Sequence, residues 1–439
     1  EFRRVLFRSI RAGCVVVNTN PLYTARELQH QLNDSGASVL IVLENFAHIF
    51  QSLQGKTPVK HVVVTSLGEH IGLKGKVVDF VVRHIKKLVP QWSLPGHVNF
   101  GQALATGRLQ QAQAVTLNHD SVAFLQYTGG TTGVSKGAVL LHRNILANLE
   151  QVDAWLAPAL SRRPIEQLVF LCALPLYHIF ALTSCAMVGL REGGTNILVP
   201  NPKDIAGFIK LLAQHPEIHI FPGVNTLFNA LSHHPEFAKV KLPNLLVTIG
   251  GGMAVQKPVA DRWQELTGTP IVEGYGLSET SPVACVNTTI IEHYTGHIGL
   301  PVPSTEIRIL SDDGAEVALG SPGEIAIRGP QVMAGYWQRP EETAKVIDDE
   351  GWLHTGDMGY LDADGFLFLT DRKIDMVISG GVNIYPAEIE GVLAAHPAVQ
   401  DAAVFGVPDA EFGEAVMALV QAGGVYQLLE QEGLIAPKK

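Results

Sequence analysis

The sequence predicts an α/β protein with a large N-terminal domain of αβα-layered subdomains, followed by a β-rich subdomain. Short, continuous apolar runs at residues 39–43 and 61–65 alternate with helical patterns, which is typical of a parallel sheet covered on both faces. Residues 305–328 instead contain short strands separated by Asp-Asp-Gly and Ser-Pro-Gly turns, which indicate antiparallel hairpins. Because 439 residues exceed what one core usually supports, we expect several domains or subdomains.

The composition is that of a globular cytoplasmic protein. Lys and Arg number 32 against 42 Asp and Glu, a formal net charge of −10, so no basic field predicts a nucleic-acid partner. The cysteines Cys14, Cys172, Cys185 and Cys285 are widely spaced, which indicates reduced, packed thiols and not a zinc site or disulfide framework. No apolar run reaches the roughly 18 residues needed to span a bilayer.

The first ten residues differ in character from the rest of the chain. Residues 1–9 contain four cationic or acidic side chains among apolar ones but no signal-peptide pattern. They join abruptly to residues 11–18, whose apolar run is typical of a domain interior. We therefore interpret residues 1–10 as a non-native leader, and expect residues 11–370 to form a domain with a truncated start.

The first helix has clear signals at both ends. Residues 15–19 predict a strand, after which Thr24 and Glu27 form the pattern of a capping box. The helix that they open runs through Leu32, and Gly36 is placed to end it.

The stretch that begins at Gly72 and ends at Val89 has two interpretations. Its apolar residues recur at helical spacing, with five Lys and Arg side chains among them. A basic amphipathic helix can lie on an anionic membrane surface, which matters if the substrate is a lipid. The alternative is an ordinary core-facing helix with solvated lysines.

The densest motif predicts a phosphate-binding loop. Residues 127–138 hold four glycines, three threonines, a serine and Lys136 after an apolar strand. Glycine allows the backbone to approach an anion, successive N–H groups donate, and the lysine supplies positive charge. Residues 139–148 then have helical spacing. The motif is not a P-loop, because two residues separate Gly133 from Lys136, and this disfavours a kinase or P-loop NTPase.

A second motif lies at residues 271–281. Tyr275 stands between two glycines, free to stack on a base, with the Ser278 hydroxyl and the Glu279 carboxylate one turn further on. Mg²⁺ binds one or two carboxylates together with phosphate oxygens, so Glu279 is the candidate metal ligand. Asp357, beside a glycine turn, is a candidate to accept hydrogen bonds from ribose hydroxyls.

Together these motifs resemble those of the adenylate-forming enzymes, which include acyl-CoA synthetases, peptide-synthetase adenylation domains and luciferases. The resemblance covers residues 11–422 in the family's order. It implies catalytic roles for Lys136, Glu279, Ser278 and His178. It implies that ATP or AMP is bound by Tyr127, Thr128, Gly129, Gly130, Thr131, Thr132, Gly133, Val134, Ser135, Lys136, Gly137, Ala138, Glu273, Gly274, Tyr275, Gly276, Asp357 and Arg372.

The resemblance also implies an acyl pocket and a second, small domain. The pocket residues are Tyr177, His178, Gly223, Val224, Gly251, Gly252 and Met253. Residues 371–439 would form a mobile α+β C-terminal domain, incomplete here, whose loop at Ser379, Gly380 and Gly381 serves the thioester step. The co-substrates implied are ATP with Mg²⁺, a fatty acid and CoA.

The connecting segments at residues 20–24, 142–148, 223–229 and 299–305 are similar to the branch that acts on long-chain fatty acids. The expected activity is therefore ATP-dependent formation of an acyl-adenylate and then acyl-CoA, with release of pyrophosphate and AMP. The expected location is cytoplasmic, with the stretch from Gly72 to Val89 as the candidate for peripheral membrane contact.

The sequence departs from the family's pattern at three places. Gly129 replaces a hydroxyl residue of the loop, Ile374 stands where the hinge usually has Asp or Lys, and the family's C-terminal catalytic lysine segment is not present. Two alternatives therefore remain. One is an adenylating ligase for another acid or acceptor, although no Asp in residues 218–231 would pair with an amino acid's ammonium group. The other is a non-catalytic nucleotide- or acyl-binding fragment.

Overall fold

The computed structural model describes residues 2–111, 113–128, 135–372, 377–379, 382–384, 386–394, 396, 399–409 and 413–422. The chain divides into two compact units. Unit 1 consists of residues up to 142 together with 333–340, and unit 2 consists of residues 143–332 and those from 341 onward. The boundary expected near residue 370 remains a prediction.

Among its described residues, unit 1 contains two three-stranded sheets. Its elements are α1 (Phe2–Arg11), β1 (Val16–Val17), α2 (Ala25–Ser35), β2 (Val39–Leu43), α3 (Ala47–Gln51), β3 (His61–Thr65), α4 (Leu73–Phe80), β4 (Val98–Asn99), α5 (Phe100–Arg108), β5 (Val122–Tyr127) and β6 (Gly137–Leu141). One sheet is the parallel set β2-β3-β4; in the other, β1 is parallel to β5 and β5 is antiparallel to β6.

Helix α2 begins and ends where the sequence predicts. The Thr24 side chain accepts from the Glu27 N–H while the Glu27 carboxylate accepts from the Thr24 N–H, which completes the capping box. Gly36 ends the helix in the left-handed conformation, at φ 67°, where a side chain would be strained. Leu28 and Leu32 are buried on the face that packs against the core of this unit.

The helix expected from Val139 onward begins later than predicted. Gly137–Leu141 is strand β6, and the helix starts only at His142. Phe124 lies opposite Leu140, and Leu125 opposite Val139. A short apolar run suits either element, and here pairing with β5 decides in favour of a strand. The predicted phosphate loop therefore connects two antiparallel strands, not a strand and a helix.

Helix α4 continues into a π-helical turn at Val81–Ile85. Its core-facing interpretation is wrong, because most of its large apolar side chains are exposed. Leu73 is 82% exposed, Phe80 57% and Ile85 65%, whereas Val82 is buried. Among the residues that the structure describes, no helix combines the length and apolarity needed to cross a membrane.

The part of unit 2 that the structure describes contains three sheets. Its elements are α6 (His142–Leu160, whose first residue ends unit 1), β7 (Val169–Cys172), α7 (Ile179–Ala181), α8 (Val188–Arg191), β8 (Thr195–Leu198), α9 (Ile205–Gln214), β9 (Ile220–Gly223), α10 (Asn225–Ser232), β10 (Val247–Gly250), α11 (Lys257–Thr267), β11 (Ile271–Gly276), β12 (Val283–Val286), β13 (Leu300–Pro301), β14 (Glu306–Leu310), β15 (Gly323–Arg328), α12 (Pro340–Ala344), β16 (Leu353–Leu361), β17 (Leu367–Arg372), β18 (Val377–Ser379), β19 (Val382–Ile384), α13 (Pro386–Ala394), β20 (Val399–Asp409) and β21 (Gly413–Ala422).

The seven-stranded sheet of unit 2 has the order β13-β12-β11-β10-β9-β7-β8. Strands β8, β7, β9, β10 and β11 are parallel neighbours, while β12 and β13 are antiparallel additions. Trp263 of α11 is fully buried between Phe221, Phe228 and Phe237, with ring centroids 4.9 to 5.4 Å apart. This aromatic core fixes α10 and α11 against the parallel strands, and the α/β prediction is confirmed.

The β-rich part also follows the prediction. Strands β14 to β17 form a four-stranded antiparallel sheet in sequence order. The later strands form a second antiparallel sheet, β19-β18-β21-β20, accompanied by α13, which is the α+β arrangement expected for the small domain. The cysteines follow the expectation of packed thiols at Cys172, Cys185 and Cys285, which are buried, but Cys14 is exposed.

Candidate active site

The predicted phosphate loop leaves and re-enters the sheet of unit 1 through a closed neck. We define the loop neck as Tyr127, Thr128, Ser135 and Lys136. The Thr128 N–H donates to the Lys136 carbonyl (3.0 Å), and the Ser135 hydroxyl donates to the Thr128 carbonyl (2.5 Å). The two stems are thereby held side by side. The predicted ligand residues from Gly129 to Val134 lie outside the described residues.

Side chains from elsewhere in unit 1 fix the two stems. The Tyr127 hydroxyl donates to Asp34 Oδ2 (2.7 Å), and Lys136 Nζ lies 4.7 Å from the ring centroid of Tyr336, a cation–π distance. The next residues of the motif, Gly137 and Ala138, are buried in β6. Burial and the Asp34 carboxylate raise the pKa of Tyr127 well above its usual value, so the hydroxyl stays a donor.

In unit 2, four neighbouring parallel strands end at one edge of the sheet. These strands are β7, β9, β10 and β11, and Gly250 lies opposite both Gly223 and Glu273. Ligands bind at the carboxyl edge of such sheets. The predicted residues that the chain brings to this edge are Tyr177, His178, Gly223, Val224, Gly251, Gly252, Met253, Glu273, Gly274, Tyr275 and Gly276.

Four glycines lie at this edge, Gly223, Gly251, Gly252 and Gly274, and we call them the glycine shelf; Gly223 packs against the ring of Phe228, whereas Gly252 is exposed. The Gly251 N–H donates to the Gly223 carbonyl at 3.3 Å. A methyl group on Gly251 would lie 3.2 Å from the Gly274 carbonyl oxygen and 3.3 Å from the ring of Phe180. Phe180 was not among the predicted pocket residues, although it stands two residues after His178 in the same aromatic segment.

The histidine at this edge has a defined proton position. His178 precedes α7, and its Nδ1 accepts from the Phe180 N–H at 3.3 Å. Desolvation by the surrounding protein lowers the pKa of His178, which favours the neutral ring. Because Nδ1 accepts, the single proton of that ring lies on Nε2. His178 therefore offers one directed N–H donor, next to Tyr177, whose pKa is raised by burial.

The carboxyl of Glu273 is directed at the segment after the shelf. Its Oε1 accepts from the Val255 N–H (3.3 Å), and the Tyr294 hydroxyl donates to the Val255 carbonyl (2.6 Å). Glu273 is only 5% exposed, and burial raises its pKa to about 7, although the Val255 N–H and Tyr294 favour the ionised form. The Gln256 N–H donates a further hydrogen bond to Asn225 Oδ1 (3.1 Å). The sequence carried no signal for Val255 or Tyr294.

The flanking glycines predicted that Tyr275 would be free to stack on a base, and this prediction is wrong. Its ring is 8% exposed and packs in an apolar cluster with Cys285 and Ile325. Its hydroxyl donates to Asp357 Oδ2 at 2.7 Å, also in a buried position. Arg372 lies directly opposite Asp357 in the antiparallel pair β16–β17. The structure thus brings Tyr275, Asp357 and the backbone of Arg372 together, while their nucleotide-binding roles remain predictions.

Ser278 and Glu279 lie on a short 3₁₀ turn at Ser278–Thr280, and both are partly exposed. The buried Thr280 hydroxyl accepts from the Leu277 N–H (2.9 Å), which fixes the turn. Gly276 is required before it, because a methyl there would overlap the Pro282 carbonyl oxygen.

Several remaining predictions lie at or beyond the edge of the described structure. Ser379 ends strand β18, but the thioester-loop residues Gly380 and Gly381 lie outside the described residues, as does the hinge residue Ile374. Residues 423–439, in which the family's catalytic lysine segment was expected, also lie outside the described residues.

Comparison with known proteins agrees with this arrangement. A family model for AMP-binding enzymes matches residues 5–337, and one for the AMP-binding enzyme C-terminal domain matches residues 388–434. The chain is 52% identical to a long-chain-fatty-acid–CoA ligase of Escherichia coli O157:H7, over 96% of this chain and 74% of the relative. A ligase of the same name from Bacillus subtilis is 38% identical over 93% of this chain and 72% of its own.

A solved structure is similar throughout. ATP-bound MatB from Rhodopseudomonas palustris superposes with a TM-score of 0.76 at 27% identity, covering 99% of this chain and 80% of that one. The chain therefore belongs to the adenylate-forming AMP-binding enzymes, within the family of the long-chain-fatty-acid–CoA ligases.

Proposed function

We propose that the chain activates a long-chain fatty acid with ATP and then transfers the acyl group to CoA. The fatty carboxylate oxygen bonds to the α-phosphorus while the bond from that phosphorus to the departing pyrophosphate breaks. The CoA thiolate then bonds to the acyl carbon, and AMP leaves. The observation that carries this proposal is the sheet edge of unit 2, which joins the glycine shelf, a directed histidine donor and the Tyr275–Asp357 pair.

The loop neck supports a role for Lys136 at the phosphates. Backbone pairing on both sides holds the stems in a fixed register, so Lys136 is presented from an ordered position. We assign to it, and to the loop between Gly129 and Val134, the stabilisation of negative charge as pyrophosphate departs. The rate of the reaction is increased because the positive charge is already positioned at the reacting phosphorus before the reaction begins.

His178 supports recognition of the carboxylate end of the substrate. A neutral imidazole with its proton on Nε2 can donate to a carboxylate or acyl oxygen. Because the imidazole is neutral, it would not form an ion pair with the carboxylate, and the carboxylate would keep its nucleophilicity. At the open, exposed end of the glycine shelf, Gly252 lies beside Val224 and the exposed Met253, which would serve as apolar lining for an acyl chain. We therefore assign this edge to the acyl group.

The nucleotide is assigned to the strand end nearby. Asp357 and Arg372 are cross-strand partners, and a carboxylate and a guanidinium suit ribose hydroxyls and a phosphate, respectively. Glu273, Gly274 and Gly276 are proposed to border the adenine. Ser278 faces the α-phosphate, and Ser379 with Gly380 and Gly381 approaches for the thioester step.

The residues present fit one Mg²⁺ that is bound mainly by ATP. Glu279 supplies one partly exposed carboxylate on a fixed turn, and no group of three or more potential ligands occurs among the described residues. A single protein carboxylate plus triphosphate oxygens is a common arrangement for Mg²⁺. When bound, the ion would neutralise phosphate charge; the chain's own part is to hold the carboxylate in place.

The activity is tested with Mg-ATP, CoA and either a long-chain fatty acid, acetate or benzoate. We expect pyrophosphate and acyl-CoA to form selectively with the long-chain acid. Selective turnover of benzoate would favour a ligase for another acid, and ATP binding without carboxylate-dependent pyrophosphate release would favour a non-catalytic fragment. Either result contradicts the proposal.

The metal assignment is tested by Glu279→Ala. We expect pyrophosphate release to fall by about 100-fold or more, because the carboxylate that holds the ion is lost. Glu265→Ala, at an exposed position on α11, is the matched control and should retain its rate. Near-normal pyrophosphate release by Glu279→Ala would show that this glutamate is not the ligand.

We further propose a cytoplasmic enzyme that attaches to anionic membranes through α4 and the turn after it. Exposed apolar side chains there stand beside exposed Lys74, Lys76, Lys86 and Lys87. Apolar groups can enter the headgroup region while the lysines meet anionic lipids. A surface of this kind suits an enzyme whose substrate partitions into lipid.

Vesicle sedimentation tests the membrane proposal. Binding to phosphatidylglycerol vesicles should exceed binding to phosphatidylcholine vesicles and fall with salt. Replacing Lys74, Lys86 and Lys87 by Gln should weaken it by about 100-fold, since each lysine contributes about 1 kcal/mol. The same change at the exposed Lys203, Lys210 and Lys241 of unit 2 is the control. Equal losses for both variants would refute the assignment to α4.

A further inference from the structure

Helix α2 presents two polar side chains, one turn apart, to the loop neck. His30 and Asp34 are four residues apart and so share one helical face. The helix is capped at both ends, and the buried Leu28 and Leu32 anchor it in the core of unit 1. This face is therefore rigidly mounted.

The two side chains contact opposite stems of the neck. His30 Nε2 lies 2.8 Å from the Ser135 carbonyl oxygen. A carbonyl only accepts, so Nε2 carries the proton and donates. On the other stem, Asp34 Oδ2 accepts from the Tyr127 hydroxyl at 2.7 Å. One helical turn thus spans the point where the loop leaves the sheet and the point where it returns.

A third contact extends this arrangement to residues 333–340. Arg339 Nη2 donates to Asp34 Oδ1 at 2.5 Å, and the Asp34 side chain is 14% exposed. This segment pairs with β6: the Val139 N–H donates to the Gly335 carbonyl (2.9 Å), and the Trp337 N–H to the Gly137 carbonyl (2.8 Å). It also carries Tyr336, beneath Lys136. Asp34 therefore joins α2 to both supports of the loop neck.

We propose that His30 and Asp34 are positioning residues that set the spacing of the loop neck and, through it, the affinity for the phosphates of ATP. The inference rests on the proposed function, since it assigns the loop to ATP. Neither side chain is assigned a contact with the substrate. Their effect is to hold Tyr127 and Ser135 at the distance at which Lys136 and the loop meet the triphosphate.

The test compares His30→Ala, His30→Gln and Asp34→Asn with Asn33→Ala, an exposed position on the same helix. The first readout is binding of ATP alone, by calorimetry; the second is KM for ATP and for the fatty acid. His30→Ala should weaken ATP binding and raise the KM for ATP by about 10-fold, the equivalent of one side-chain hydrogen bond. The KM for the fatty acid should change by less than about 2-fold.

The remaining variants separate positioning from a merely structural role. Gln can donate from its amide to the Ser135 carbonyl, so His30→Gln should recover most of the ATP affinity. Asp34→Asn keeps the volume but removes the charge that holds Arg339, and it should weaken ATP binding by at least as much as His30→Ala. Asn33→Ala should match the wild type. Thermal unfolding of each variant shows whether it is folded.

Two outcomes would overturn the inference. One is unchanged ATP affinity in a folded His30→Ala or Asp34→Asn protein. The other is an equal rise in the KM values for ATP and fatty acid, without rescue by Gln. If the wild type binds ATP but does not turn over a long-chain acid, the proposed function fails while the calorimetric comparison still decides the role of α2.

Discussion

The loop neck in unit 1 and the glycine shelf in unit 2 are held by different kinds of contact. The neck depends on side chains 93 and 105 residues away in sequence, Asp34 and His30, both partly exposed. The shelf depends on the backbone ladder of β9, β10 and β11 and on a buried aromatic core. Removing one side chain can loosen the neck, whereas the shelf is disturbed mainly by adding atoms to it.

This difference matches the chemistry proposed for the two regions. A triphosphate carries concentrated charge, which is met by donors and cations that can be adjusted one at a time. An acyl chain needs an apolar surface, which backbone and glycine provide without rotatable groups of their own. We therefore expect the largest losses of stability where an added methyl would meet backbone atoms beside the shelf, and the smallest from the removal of single side-chain groups at the neck.

The largest effect is expected from Gly276→Ala, beside the shelf. Its methyl would overlap the Pro282 carbonyl oxygen, which is backbone and cannot rotate away. The free energy of unfolding should fall by about 4 kcal/mol, at the upper end for overpacking. Gly274→Ala is the matched control, since its methyl would lie 3.6 Å from Val286. Urea unfolding measures both, and equal midpoints would show that the strand end is not tightly constrained.

The next effect is a pH dependence from Glu273. Its pKa of about 7 in the folded protein exceeds the ordinary value of 4.5, so the native state binds the proton more tightly. Stability from this group is therefore fully present below about pH 4.5 and is lost as pH rises to 7, by about 3 kcal/mol. Glu273→Gln should remove that loss.

The measurement is the difference in urea midpoint between Glu273→Gln and the wild type, at several values from pH 5 to 8. The variant's relative stability should grow with pH. Asn33→Ala, at an exposed position on α2, is the control: it removes no titratable group, so its difference from the wild type should show no such rising trend. A difference for Glu273→Gln that stays constant with pH would contradict the raised pKa.

The smallest pair of effects compares two tyrosine–aspartate hydrogen bonds of equal length, 2.7 Å. Tyr275→Phe leaves the buried Asp357 without that donor and should cost about 2 kcal/mol, whereas Tyr127→Phe, beside a partly exposed Asp34, should cost about 1 kcal/mol or less. For Tyr127→Phe, the loss of ATP affinity should be larger, in free energy, than the loss of thermal stability. Equal costs at both positions would contradict the expected difference between the partly exposed hydrogen bond at the neck and the buried one at Asp357.

Local signals in the sequence predicted local structure well. The capping box at Thr24 and the ending at Gly36 involve atoms within a few residues of one another, so the pattern contains the whole cause. The hairpin turns of residues 305–328 behave in the same way. The alternation of apolar runs with helical patterns predicted the α/β architecture, and the family resemblance added the roles expected of the glycine turns at strand ends.

Long-range partners were not predictable in the same way. The run at Val139 fits helix or strand, and only its pairing with β5 decides. Tyr275 was expected to be free because its neighbours are small, but its partner Asp357 lies 82 residues away in sequence, and most of the apolar cluster around its ring is also distant in sequence. His30 and Asp34 look like ordinary polar residues of an amphipathic helix, and nothing near them in sequence indicates the loop neck.

The return of residues 333–340 to unit 1 has a consequence for how the protein is made. A ribosome adds roughly 5–20 residues each second, so the roughly 190 residues of the intervening segment take on the order of 10–40 s to synthesise. Throughout that interval the partners of β6 at Gly335 and Trp337 do not yet exist. The nascent chain therefore carries an open strand edge next to the predicted phosphate loop, and a chaperone that covers such edges would have a binding site there.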